Sequence, residues 1–143
     1  MIKKLFTPGN DSKLTSLGLL VLRLWLGLTM LLNHGMDKVY NFSSYATKFP
    51  DPIHIGVKPG LMLVIFAETA GAALIALGFL TRFGALTLVI DMGVAFFLVH
   101  KSVAGGELAF IYLAGFVALL IAGPGKFSVD KIVFGKGSSN FGK

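Results

Sequence analysis

Residues 59–80 read PGLMLVIFAETAGAALIALGFL, an apolar run broken by a single charge, Glu68, near its middle. An α-helix needs about 20 apolar residues to cross the hydrocarbon core of a bilayer. The stretch therefore reads as a membrane span. A charge at that depth is costly, so it has a partner and marks a polar centre.

Working outward, the same grammar recurs. Residues 17–34, LGLLVLRLWLGLTMLLNH, carry Arg23, and residues 83–99, FGALTLVIDMGVAFFLV, carry Asp91. Residues 108–122, LAFIYLAGFVALLIA, form a shorter fourth run with Glu107 at its mouth. The prediction is an all-α fold, a four-helix transmembrane bundle making one membrane domain over residues 1–143. Composition agrees: 55% of the 143 residues are hydrophobic, 14% are charged, and most of the 18 glycines lie in or beside the apolar runs. Small residues let membrane helices approach closely. The first span begins after Lys3 and Lys4 but is too long for a signal sequence, carries Arg23 and lacks a small-x-small cleavage site, so it is expected to be retained.

The net charge of +6 is not a nucleic-acid signal, because the cations sit mostly at span ends. Both termini and the turn between spans two and three share one side, with Lys3, Lys4, Lys13, Arg82, Lys126, Lys131, Lys136 and Lys143. The other side has Lys38, Lys48, Lys58 and Lys101. The positive-inside rule then predicts both termini in the cytoplasm of a cell-membrane protein. The outer loop, residues 37–58, is too long for a bare hairpin. Tyr40, Phe42, Tyr45 and Phe49 are spaced for one face of a short interfacial helix, ended by Phe49-Pro50-Asp51-Pro52. A small cap over the outer mouth is expected. Gly123-Pro124-Gly125 should stop span four, ahead of a short basic amphipathic tail.

At about 1.5 Å rise per residue, Arg23 and Asp91 lie roughly 12–14 Å from the cytoplasmic ends of their spans and Glu68 roughly 20 Å. At about 100° per residue, Arg23, Gly27, Met30 and His34 share a stripe, as do Glu68, Gly71, Ala72 and Ile75, and Gly84, Thr87, Asp91 and Ala95. Each charge thus lies on a face with small residues, the packing face. The expectation is that Arg23 bridges Glu68 and Asp91 with its forked donors. The trio sums to −1, so one carboxyl, Glu68, is expected to hold or share a proton. The plainer alternative is that the trio only pins three helices in register. A second polar group, His34, Asp37, Lys38, His100 and Glu107, lies at the outer mouth. Two histidines on different spans could hold a haem, or His with Asp and Glu a metal. However, His100 falls about 180° from Asp91 on an ideal helix, and no HxxxH or ExxH spacing occurs. A hydrogen-bonded rim with no metal is the expectation. Trp25 is a lone membrane aromatic expected to face lipid or packing.

The run Arg23…Gly27…His34-Gly35…Lys38 resembles the first-helix pattern of the DoxX family of small bacterial membrane proteins. Glu68…Gly71…Gly78…Thr81-Arg82…Ala85 resembles its second helix and turn. Glu107, Tyr112 and Gly123-Pro124-Gly125…Ser128…Asp130 resemble its fourth helix and tail. The resemblance implies a four-helix bundle. It also implies a link to quinone oxidoreductases, since the family is named for a subunit of a thiosulfate:quinone oxidoreductase. Eukaryotic relatives with similar bundles act as cargo receptors or assembly factors. Fold analogy alone does not choose between these.

Three functions follow. The first is a quinone-linked redox component. With no cysteine and no flavin or haem motif, the chain would bind quinone or dock a redox enzyme rather than move electrons unaided, as a non-catalytic subunit. Arg23, Glu68 and Asp91 would hold the quinone head or relay protons, with His34 and Glu107 at the entrance. The second is a structural or partner-recruiting membrane protein without chemistry of its own. The third is a small-solute or proton transporter working as a homo-oligomer, with Gly71, Gly78 and Gly93 as contact faces.

Overall fold

The computed structural model describes residues 12–135. Of the cations counted for orientation, Lys3, Lys4, Lys136 and Lys143 lie outside the described residues. Helix α1 runs Ser12–Met30, passes through a π-helical turn at Leu31–Gly35 and continues as Met36–Tyr40. After the short α2 (Phe42–Tyr45), α3 runs Val57–Phe66, through a π turn at Ala67–Gly71, to Ala72–Leu77. Helix α4 runs Thr81–Val94 and ends in a third π turn, Ala95–His100. Then come α5 (Val103–Ala122) and the tail helix α6 (Val129–Phe134). Helices α1, α3, α4 and α5 are each long and apolar enough to cross a membrane.

Terminators follow local chemistry. Gly78, at φ 70°, ends α3 in the left-handed conformation that costs glycine nothing. Ser102 and Ser128 cap α5 and α6 by accepting from the amides of Gly105 and Lys131. Gly123, at φ 79°, closes α5. The first span differs from the expected 17–34. It is helical from Lys13 to Tyr40, because the polar Asn33-His34 step is absorbed in the π turn instead of ending the helix. The outer connection shrinks to residues 41–56, with Tyr45 edge-on to Phe49. Asp51 orders it by accepting from the amides of Ile55 and Gly56.

The spans form a ring in which α1 and α4 each pack on both α3 and α5. The core is Met30, Ala72, Ile75, Leu88, Phe116 and Leu119, all fully buried. Large apolar residues such as Trp25, Ile90 and Ile121 point outward, as a lipid-facing surface requires. Of the predicted packing stripes, Arg23, Gly27 and Met30 are buried with His34 half-buried; Glu68, Gly71, Ala72 and Ile75 are all buried; and Gly84 is buried while Thr87, Asp91 and Ala95 are half-buried. Backbones touch at glycines. A Cβ on Gly27 would lie 2.9 Å from Ala72 O, and one on Gly84 would lie 2.7 Å from Gly71 O. Gly71 and Gly78 are therefore spent inside the bundle, which removes them as contact faces for a second copy. Gly93 alone of the three faces open space.

Candidate functional site

The side of the bundle bearing residues 41–56 is called the cap side here, and that bearing Gly78–Thr81 and α6 the tail side. A cavity of about 580 Å³ occupies the cap-side half. All four spans line it. Apolar residues dominate, and the polar groups are Lys38, His34, Glu68, Thr87, Asp91, His100 and Tyr112, with Asp51 in the roof. Few polar groups in an apolar hollow is the usual make-up of a small-molecule site. The three π turns all contribute to its wall, through His34, Ala67 with Glu68, and Ala95 with His100. Such turns recur at functional sites because they break the regular ladder and re-aim side chains.

Glu68 is almost fully buried and pairs with Lys38, whose Nζ donates to Oε2 at 2.6 Å. This ion pair is nearly shut off from solvent, with the two side chains only 13% and 4% exposed. Gly35 makes it geometrically possible: its missing Cβ lets α1 lie against the Glu68 backbone and Thr69, bringing Lys38 over the carboxylate. Asp91 also lines the cavity. Its Oδ2 is buried and has no hydrogen-bond partner among the described residues. One ammonium therefore faces two carboxyl groups. His34 sits edge-on to Tyr112 with ring centres 5.6 Å apart, and the Tyr112 hydroxyl donates to Thr29 Oγ1 at 3.0 Å. Above them, Asp37 accepts from Tyr45 at 2.6 Å and from the Asn41 amide group at 2.7 Å. That bond holds the Tyr45 phenol above its ordinary pKa, because the neutral hydroxyl is the donor.

The structure corrects the expected Arg23–Glu68–Asp91 triad. Glu68 and Asp91 do face one cavity, but Arg23 does not join them. It lies at the tail side, fully buried, beside Gly78 and Ser128. Its Nη2 donates to Phe127 O, Asp130 is the carboxylate whose field it feels, and Nε and Nη1 have no partner among the described residues. The reason is one of register. Gly35 is level with Glu68, and Arg23 is level with Gly78. The twelve-residue step from Arg23 to Gly35 puts Arg23 roughly 18 Å below Glu68. Helix α1 overhangs the other spans on the tail side and packs there on the returning chain, where Gly125 meets Leu19 and Ser16. Depth counted from the cytoplasmic end of its own span therefore puts Arg23 too deep. Lys38, not Arg23, is the cation on Glu68, and Asp91 Oδ2 is left without a hydrogen-bond partner among the described residues.

Among the remaining candidates, His34 lies in the cavity wall, whereas Glu107 is exposed and does not line it. His100, expected on the opposite face from Asp91, lines the same cavity. The π turn between them shifts the helix phase. Among the described residues no three His, Asp or Glu side chains gather closely enough to hold a metal ion. Lys38, expected at the rim, continues the Met30–His34 stripe by one more four-residue step. That spacing was the available signal.

The sequence pattern of the DoxX family matches residues 18–101, which covers the first three spans. The fourth-span and tail residues of the resemblance lie beyond that match. The chain is 33% identical over 129 residues to "Inner membrane protein YqjF" of Escherichia coli K12, covering 85% of this chain and 95% of that protein. It is 28% identical over 138 residues to an uncharacterized protein of Haemophilus influenzae, covering 87% of this chain and 91% of that one. A second uncharacterized H. influenzae protein is 31% identical over 87 residues, covering 54% of this chain and 65% of its own length. No solved structure matches the chain.

Proposed function

This chain belongs to the DoxX family of integral membrane proteins, and on that footing we propose that it is the quinone-binding membrane component of an oxidoreductase whose electron-carrying cofactor sits on a partner enzyme. One observation carries the reading. Asp91 offers a buried, unpartnered oxygen to an apolar cavity that also holds the Lys38–Glu68 pair. A quinone head has two carbonyl acceptors, and its reduced form has two hydroxyl donors. Lys38 has three N–H donors; one goes to Glu68 at 2.6 Å and one reaches His34 O at 3.5 Å, so a third can serve a carbonyl. Asp91 accepts from a quinol hydroxyl or, carrying the proton itself, donates to a quinone carbonyl. Reduction takes two electrons and two protons. The partner supplies the electrons, and Asp91 with Glu68 exchanges protons at the head.

A quinone analogue should bind the purified chain, and Asp91→Asn or Glu68→Gln should weaken binding about 10- to 100-fold, the loss of one hydrogen bond to a charged group. Glu107→Gln, exposed and outside the cavity, should leave it unchanged. Calorimetric or fluorescence titration reads the result. If Asp91→Asn lowers thermal stability but not affinity, the centre only braces the helices and the structural reading replaces this one.

The E. coli relative is an inner membrane protein by name, and our reading puts the tail side in the cytoplasm, which the positive-inside count supports. The chain has no cysteine, so single-cysteine labelling is clean. In intact cells stripped of the outer membrane, Thr47→Cys should react with a charged maleimide, and Ser139→Cys should react only after lysis. The reverse pattern would invert the topology.

A further inference from the structure

We infer that the cavity is loaded sideways from the membrane, through a cleft between α3 and α4, by a molecule with a polar head and a long apolar tail. The inference rests on the quinone reading for the identity of the head and goes beyond it in route and shape.

The geometry is a V. Helices α3 and α4 are pinched where Gly71 meets Gly84 and Thr87: a Cβ on Gly71 would lie 2.6 Å from Thr87 Oγ1. Below the pinch, Ala72–Leu77 packs along α4, and at the pinch itself the Ala67–Gly71 turn does so too. Above it, the two helices part. The cap-side half of α3, Val57–Phe66, packs more on the Leu31–Tyr40 end of α1 than on α4. The cap-side end of α4, Ala95–His100, packs instead on α5, where a Cβ on Gly106 would lie 2.8 Å from the Phe96 ring. So α1 with α3 and α4 with α5 stay closed up to the cap, and the α3–α4 edge opens. Glu68 and Asp91 lie just above the pinch, at the apex. Leu63, Phe66 and Ile90 line the cavity and are also about half exposed or more, as the lips of a lateral opening must be.

The water side is covered. Phe49, Pro50, Pro52 and Ile53 form part of the cavity wall and come from the segment that Asp51 folds back on itself. An apolar roof and an open apolar flank suit a guest already dissolved in lipid. Its head descends to the charged apex while its tail stays among the acyl chains, so the cavity need not hold the whole molecule.

The test uses the full chain in lipid nanodiscs. A nitroxide on Ala95→Cys, in the cavity wall, is probed by lipid-soluble oxygen and by a water-soluble nickel chelate. High oxygen and low nickel accessibility is expected, and Ile90→Trp, which fills the lip, should lower the oxygen value toward that of a buried position. Access to nickel, or indifference to Ile90→Trp, overturns the lateral route. In parallel, Ile90→Trp should weaken a long-tailed quinone about tenfold and leave a tail-less analogue unchanged; equal loss for both overturns the tail's path. If the nitroxide reports lipid access but neither quinone binds the parent chain, the route stands and the quinone reading falls.

Discussion

Gly78→Ala should destabilise the protein by about 3–5 kcal/mol, the range seen when a buried charge loses its fixed environment. The added Cβ would fall on Arg23 Nη1 and within 2.9 Å of Ser128 Cβ. Neither can give way cheaply, because Arg23 is fully buried and Ser128 nearly so. The residue also sits at φ 70°, where a side chain costs roughly 1–2 kcal/mol more. A displaced guanidinium forfeits its bond to Phe127 O and its closeness to Asp130. Gly93→Ala is the control: it lies inside α4 with nothing within 4 Å of the new methyl, and its effect should stay within about 1 kcal/mol. Thermal unfolding in one detergent compares the two. Equal melting temperatures would remove the tail-side lock from the account.

Asp130→Ala should cost about 2–4 kcal/mol and detach the tail helix. The Asp130 carboxylate accepts from the amides of Leu80 and Thr81 at 2.7 and 3.0 Å and from the Thr81 hydroxyl at 2.9 Å, while its own amide donates to Gly78 O. It thus caps α4 from fifty residues away, supplying the negative group that a helix N-terminus favours. It also holds Leu80 at φ 44°, a conformation a leucine does not choose unaided. Asp130→Asn keeps one acceptor oxygen and should fall between the parent and alanine. Limited proteolysis of residues 126–135 is the readout, with cleavage faster in Asp130→Ala. Unchanged cleavage would mean that the tail is held by its apolar contacts alone.

The architecture could be read from the chain because its cause is local. Runs such as 59–80 have no stable alternative to a membrane helix, and a charge sharing a stripe with small residues marks the inward face. That logic placed Glu68 and Asp91 around one space. It failed for Arg23 because relative height depends on where each helix begins against its neighbours, and nothing near Arg23 reveals that Phe127–Asp130 folds back beneath it. It missed Lys38 as the partner of Glu68 because span one was ended at His34. It misjudged His100 because a π turn shifts the helix phase without any signature in the residues themselves. Tertiary register was the hidden variable in all three.

A chamber roofed against water but unzipped along one flank does not sample an aqueous concentration. Its occupancy follows the mole fraction of guest in the surrounding amphiphile. Raising detergent at fixed guest then dilutes the guest and lowers apparent affinity with no change in the protein, and compounds rank by partitioning as well as by fit. Dissociation constants for such a site are transferable only when quoted per mole of lipid.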